Sequence, residues 1–372
     1  MHKSGRRRIT TLSATVLGGI VCLASVSRAQ SFHSPTTIES SDGRVQIVGR
    51  YDGRTHGHPR MGYPGTGLIF RFKGTGANLE IVSDSETAAL TVVIDHGPPL
   101  LRLLQKGKNV VSIASALEDV AHSVEIYKRA DSWQGIVTVD GIELDSAGVL
   151  LPPPPLPVRK LMFIGDSVTC GGGVDNNAQC KPDPEHPANN VYDSYGMLLG
   201  RRMDAQIQLV CYGGRGLERD YRGLGISDGV LNAPQFLDLA VVTDEPSGRA
   251  PWDASLWQAD AIVISLGTND FDLQSSRPLD EKKWVDEYDA FLRDVRREYP
   301  RAVIVLTEGA IVVDPLLRQL VQATAAGAHD PKVFYTPSVH YPGNGCDGHP
   351  TRDQHVRMAD DFEPVLRQLL GW

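Results

Sequence analysis

No nucleotide-binding fingerprint follows any apolar run in this chain of 372 residues. The stretch "YGGRG" at 212–216 has glycines enough to cradle a phosphate. It lacks the lysine and Ser/Thr of a P-loop, and no G-x-G-x-x-G stands at a strand end. The cysteines number five and none of their spacings resembles a zinc site, so neither a metal nor an organic cofactor is expected. Positive charge is also short: 37 Lys and Arg stand against 45 Asp and Glu, a formal charge of −8. That balance argues against nucleic acid and anionic membrane surfaces as partners. Internal repeats are missing, and the one low-complexity tract is a run of prolines.

The basic residues that are present cluster at the start. "KSGRRR" is a basic n-region, "LSATVLGGIVCLASV" an apolar h-region, and Ser27-Arg28-Ala29 offers small residues at the −3 and −1 positions. We read residues 1–29 as a cleaved export signal and the protein as secreted or periplasmic. The apolar stretch is short and no second one follows it, so no membrane anchor is expected. Without these residues the chain has 32 basic and 45 acidic side chains, a charge of −13. Cys170, Cys180, Cys211 and Cys346 remain. An oxidising compartment permits two disulfides among them in three connectivities. Cys170 with Cys180 would close a short loop, and four buried thiols are the alternative.

Residues 36–150 have the grammar of an all-β sandwich or jelly roll. "RVQIVGRYD", "GLIFRFKG", "ANLEIVSD", "ALTVVIDH" and "GIVTVDGIEL" are short β-branched or alternating runs separated by Gly, Asp and Asn. The proline-rich segment 151–157 excludes helix and sheet and serves as a linker. Beyond it, across 158–372, the pattern changes to continuous apolar strands: "KLMFIG", "QIQLVCYG", "AIVISLG", "AVIVLTEG" and "KVFYTPS". Helical segments lie between several of them, which predicts an α/β fold with a mainly parallel five-stranded sheet. The last helix, from about 351 to 370, opens with Thr351 and Gln354 at capping-box spacing.

Ligands of such sheets collect at the carboxyl ends of the strands. There stand Gly165-Asp166-Ser167, Gly213-Gly214-Arg215-Gly216 and Gly267-Thr268-Asn269-Asp270, with Cys346-Asp347-Gly348-His349-Pro350 before the last helix. A serine hydroxyl becomes a nucleophile when a histidine takes its proton, and the oxyanion formed needs preorganised N–H donors. Ser167, His349, a glycine amide and the Asn269 side chain supply that set. Each alone has an ordinary structural reading as a cap, a turn or a packed residue. Together, at successive strand ends, they describe acyl transfer.

These blocks resemble those of the SGNH (GDSL-type) hydrolases, over roughly residues 159–372. The resemblance implies Ser167 as nucleophile, His349 as base, and an oxyanion hole made by the Ser167 and Gly214 amides and the Asn269 side chain, with Gly213 the competing glycine. Two positions depart from the pattern. The first block reads GDSV instead of GDSL, and the usual Asp three residues before the histidine is Cys346, with Asp347 one position later. That spacing, the preceding β-domain and the strings "FIGDSVTCG", "YGGRGL" and "DGHPT" are similar to carbohydrate esterase family 2, whose members deacetylate plant cell-wall polysaccharides such as xylan and glucomannan. In that family an aspartate or a backbone carbonyl orients the histidine. Asp347 is the expected third member of the triad.

Several neighbours have expected roles. Asp166 and Asp270 should hold loops by hydrogen bonds, Arg215 should fix the glycine loop, and Tyr221 is a candidate platform for a sugar ring. His355, in Asp353-Gln354-His355, is the rival base but sits on the packed side of the last helix, and His340 and His186 have no supporting context. The expected protein is a monomeric serine esterase acting on acetylated polysaccharide. A lipase, lysophospholipase or thioesterase on the same fold, and a non-catalytic carbohydrate-binding protein, are the competing readings.

Overall fold

The computed structural model describes residues 36–372 apart from 177–178, 273–274, 276, 312–313 and 340–342. The expected export signal and His340 lie outside the described residues.

Eleven strands occupy the first third of these residues: β1 (Thr36–Glu39), β2 (Gln46–Val48), β3 (Arg60–Met61), β4 (Gly67–Gly74), β5 (Ala77–Ser83), β6 (Ala89–Ile94), β7 (Leu100–Leu103), β8 (Gly107–Ala114), β9 (Val120–Lys128), β10 (Val137–Leu144) and β11 (Val149–Leu151). One antiparallel sheet runs β1-β10-β5-β8 with β3 beside β10, and the other runs β11-β4-β9-β6-β7 with β2 beside β4. The period of two is visible in β4, where Leu68, Phe70 and Phe72 are buried and Lys73 is exposed. These side chains meet Leu79 and Ile81 of β5 and Ile142 and Leu144 of β10 in one apolar core between the sheets. Strand β11 runs through Leu151, one residue into the stretch expected as linker. The run "RVQIVGRYD" yields only the three residues of β2, because Gly49 turns the chain at φ 83°.

After the prolines the chain forms β12 (Arg159–Gly165), α1 (Tyr195–Met203), β13 (Ala205–Cys211), the single-turn α2 (Ala233–Phe236), β14 (Leu239–Val241), β15 (Ala250–Pro251), β16 (Ala261–Leu266), α3 (Glu281–Glu298), β17 (Val303–Glu308), α4 (Pro315–Gly327), β18 (Val333–Tyr335) and α5 (Arg352–Leu370). Its main sheet has five parallel strands in the order β13-β12-β16-β17-β18. Both faces are covered, which is why these strands read as unbroken apolar runs. Leu161 and Phe163 of β12 pack with Tyr195, Leu199, Met358 and Phe362 from α1 and α5. Met162 and Ile164 pack with Trp284, Phe291 and Leu317 from α3 and α4. Helix α5 begins where its capping box predicts, with Thr351 Oγ1 accepting from the Gln354 amide. Among the described residues no helix is long and apolar enough to cross a membrane.

Strand order reverses around β12, with β13 on one side and β16 on the other, so the crevice for a ligand opens beyond the ends of β12 and β16. The sandwich packs against the α/β layer through buried polar ties. Arg50 is fully buried. Its guanidinium donates to the carbonyls of Leu237 (2.7 Å) and Leu239 (3.3 Å), to Tyr299 Oη (2.9 Å) and to Gln208 Oε1 (3.3 Å), and it lies 4.7 Å over the Trp252 ring. Removing this side chain strands several buried acceptors at once. The substitution Arg50→Ala is expected to lower folding stability by about 3–5 kcal/mol, read as a fall in the urea midpoint; an unchanged midpoint would show that Arg50 does not hold the two parts together.

Candidate active site

Strand β12 ends at Gly165, and the chain then makes a tight turn that presents Ser167. The Asp166 carbonyl accepts from the Cys170 amide (3.1 Å) and the Ser167 carbonyl from Gly172 (2.7 Å), so the serine sits in the first turn of an irregular helical segment. From the far end of the chain His349 reaches the same point. Its Nε2 lies 2.8 Å from Ser167 Oγ, although 182 residues separate them. Glycine makes this approach possible: Gly173 has φ 75°, and a Cβ there would stand 2.7 Å from that of His349.

The orienting partner of His349 differs from expectation. Its Nδ1 is 3.2 Å from the Cys346 carbonyl, which also accepts the His349 backbone N–H at 3.0 Å. Asp347 adopts a left-handed backbone (φ 54°, ψ 30°) and is exposed. Asp347 borders the cleft, and the carbonyl of Cys346, where an Asp347 carboxylate was expected, lies against the ring nitrogen. Burial lowers the pKa of His349 below the ordinary histidine value, against the opposing effects of the Cys346 hydrogen bond and the nearby Asp347 charge. A base depressed in this way stays neutral, and able to accept a proton, at neutral pH.

Ser167, Gly213, Gly214 and Asn269 line one cleft. The two glycines differ in hydrogen bonding. Gly213 donates its N–H to Asp131 Oδ2 at 2.5 Å, whereas Gly214 turns the chain at φ 75°. The Asn269 side chain, buried at the end of β16, donates one N–H to the Arg215 carbonyl (2.9 Å), which leaves its second for the cleft.

Buried carboxylates hold the loops in place. Asp270 accepts from the amides of Leu217 (2.8 Å), Glu218 (2.8 Å) and Arg219 (3.2 Å), and Asp166 accepts from Val168 (3.0 Å). Burial pushes both carboxyls upward, Asp166 to about 6. Arg215 lies over the Tyr212 ring and pairs with Asp244 at 2.8 Å. His355 is fully buried, accepts the Tyr195 amide at 3.2 Å on Nδ1 and stacks on the Tyr195 ring. Burial drives its pKa down to about 3, so it is a packing residue. His186 is exposed beside Asp183. Tyr221 borders the cleft, its ring 3.1 Å from where a Gly214 Cβ would be.

The cysteines pair as Cys170–Cys211 and Cys180–Cys346, not as the short Cys170–Cys180 loop. Each bond ties two segments of the site: the first joins the nucleophile turn to the end of β13, just before Gly213, and the second joins the loop after that turn to the residue whose carbonyl orients His349. Two site-lining residues, Asp131 and Trp133, come from the turn between β9 and β10 and were missed in the sequence. Their polar turn "DSWQG" carries no sign of a site in its own context; only tertiary packing brings it to Gly213. The cleft they complete has a volume of about 650 Å³. Among the described residues no three His, Cys, Asp or Glu side chains group as a metal site.

This fold, with its serine, histidine and amide donors at the strand ends, defines an SGNH (GDSL-type) α/β hydrolase. Residues 163–368 match the family model of the GDSL-like Lipase/Acylhydrolase family, and residues 47–154 match that of Carbohydrate esterase 2 N-terminal. An acetylxylan esterase / glucomannan deacetylase of Cellvibrio japonicus (strain Ueda107) is 36% identical over 362 residues, covering 96% of this chain and 98% of the relative. The solved structure of a family two carbohydrate esterase from Cellvibrio japonicus is similar with a TM-score of 0.84 and 36% identity, covering 91% of this chain and 99% of that one. Another, from Clostridium thermocellum in complex with cellohexaose, gives a TM-score of 0.77 at 29% identity, covering 88% and 99%. The chain belongs to carbohydrate esterase family 2 and is a carboxylic ester hydrolase.

The geometry at His349 makes a direct prediction. An aspartate that fixes the catalytic tautomer is worth about 10⁴ in kcat, but here a carbonyl does the fixing. Asp347→Asn is therefore expected to keep kcat within about tenfold of wild type, and to move the acidic limb of the kcat/KM profile to lower pH because a charge favouring the imidazolium is gone. A collapse of kcat by about 10⁴ would restore Asp347 to the triad.

Proposed function

We propose that this esterase removes O-acetyl groups from plant cell-wall polysaccharides such as acetylated xylan and glucomannan, through an acyl-enzyme on Ser167. The observation that carries the reading is the 2.8 Å contact between His349 Nε2 and Ser167 Oγ, set beside the amides of Ser167 and Gly214 and the Asn269 side chain. In this mechanism His349 takes the Ser167 proton as Oγ attacks the ester carbonyl. The three donors stabilise the oxyanion, the Cys346 carbonyl steadies the imidazolium, and His349 then protonates the departing sugar hydroxyl. Water, deprotonated by His349, attacks the acyl-enzyme carbonyl; the bond to Oγ then breaks, Oγ takes the proton back from His349, and acetate leaves. Each step balances without a cofactor.

The substrate class draws support from the cleft lining. Asp131, Asn176, Asn189, Asp220, Arg222 and Asp244 line the same cleft as the serine, a setting suited to a hydroxyl-rich chain. The relatives named above point the same way. The basic and apolar character of residues 1–29 supports export to where such polysaccharides occur. The two working parts we propose are residues 36–150 and 158–372, joined by the prolines of 151–157, with the protein acting as a monomer.

The test is acetate release from acetylated xylan and glucomannan. Wild type is expected to release acetate and Ser167→Ala to release none, while Asn269→Ala should lower kcat by about 10²–10³. If wild type cleaves an aryl acetate through Ser167 but neither polysaccharide, the substrate assignment fails and the serine chemistry stands. Equal activity of Ser167→Ala and wild type would overturn the mechanism.

A further inference from the structure

The turn between β9 and β10 places one large apolar side chain in the open among buried neighbours. Ala130, Asp131 and Ser132 are 1%, 1% and 4% exposed, whereas Trp133 is 59% exposed. Looseness does not account for this, because the turn is pinned on both sides. Asp131 takes the Gly213 N–H, the Gln134 side-chain oxygen takes the Asn189 amide, and the Gln134 carbonyl accepts the Thr87 hydroxyl at 2.8 Å. The Trp133 indole nitrogen lies 3.3 Å from where a Cβ on Gly213 would be. Tyr221, itself 42% exposed, holds the corresponding place beside Gly214. Two aromatic rings, one from each part of the molecule, thus flank the glycine pair next to the nucleophile, and the absence of side chains at 213 and 214 keeps the floor between them open.

A rigid, exposed indole at the edge of a polar cleft fits a ligand with alternating character: an apolar face to cover the ring and a polar rim to meet the groups around it. A pyranose has that form, its C–H faces apolar and its hydroxyls equatorial to them. We propose that Trp133 is a stacking platform for a sugar unit of the substrate's backbone, so that the β-sandwich contributes directly to selection of polymer over small esters. This rests on the polysaccharide reading above. Indole-face contact offers large area at little entropic cost, since few torsions are frozen.

Trp133→Ala and Trp133→Phe separate this role from a structural one. For each variant, kcat and KM are measured on an aryl acetate and on acetylated xylo- and gluco-oligosaccharides, and affinity for unacetylated xylohexaose and cellohexaose is measured by calorimetry. With Trp133→Ala, the loss of kcat/KM on oligosaccharides is expected to exceed the loss on aryl acetate by about tenfold or more, through KM, with hexaose affinity falling in step and Trp133→Phe recovering most of it. Equal losses on both substrate classes, or oligosaccharide kinetics and hexaose affinity untouched by the substitution, would overturn the platform. Hexaose binding that depends on Trp133 in a protein that releases no acetate from any saccharide would sustain the platform while removing the deacetylase reading.

Discussion

The hydrogen bond from the Ser167 hydroxyl to His349 Nε2 depends on bringing the turn after the first strand of the α/β layer and the segment before its last helix to within 2.8 Å of each other. Much of the surrounding structure answers that demand. The parallel sheet puts the ends of β12 and β16 side by side at the point where strand order reverses. The capping box of α5 fixes where the last helix begins, three residues after His349. Ion pairs from Asp175 to Arg129 and to Arg352, each 2.5 Å, link the sandwich, the loop after the nucleophile and the first turn of α5. No one of these contacts is large in energy. Together they leave the serine and histidine little room to drift apart, which is the condition for efficient proton transfer.

The loops that carry the donors have no regular secondary structure to satisfy their amides, so buried carboxylates take that part. Asp131, Asp166 and Asp270 are each about 1% exposed or less, and each accepts backbone N–H groups. Burial pushes their pKa values upward, to about 6 for Asp131 and Asp166, so the ionised forms are costly to hold. Such local cost concentrated around a site is what function imposes on an otherwise well-packed fold. Asp131 is the most informative of the three. It occupies the Gly213 N–H, and it does so from the sandwich, beside the buried Lys128, whose ammonium donates to the Ala130 and Asp131 carbonyls.

What could be read from the sequence follows from what is local. The five sheet strands were legible because burial on both faces makes continuous apolar runs, the ends of two of those runs pointed to Ser167 and Asn269, and the start of the last helix pointed to His349. Helix α5 was legible from Thr351 and Gln354. Strands β7, β8 and β9 were less so: β8 alternates exposed and half-buried residues over its first half, and only pairing with β5 marks it as a strand. The partner of His349 could not be read, since the carbonyl of Cys346 and the carboxylate of Asp347 belong to adjacent residues. Cysteine pairing and the arrival of Trp133 at Gly213 depend on contacts between distant segments, and nothing in the neighbouring residues announces them.

The Cys180–Cys346 bond, which closes 166 residues of chain, has a consequence for durability. Any single peptide bond between those two cysteines can be cut and the fragment bearing Ser167 stays covalently joined to the fragment bearing His349. The long excursion that includes α3 and α4 is thereby an internal loop in the covalent sense, and proteolytic nicking within it yields a two-chain molecule instead of two separate pieces. Damage to the chain and loss of the link between Ser167 and His349 thereby become different events.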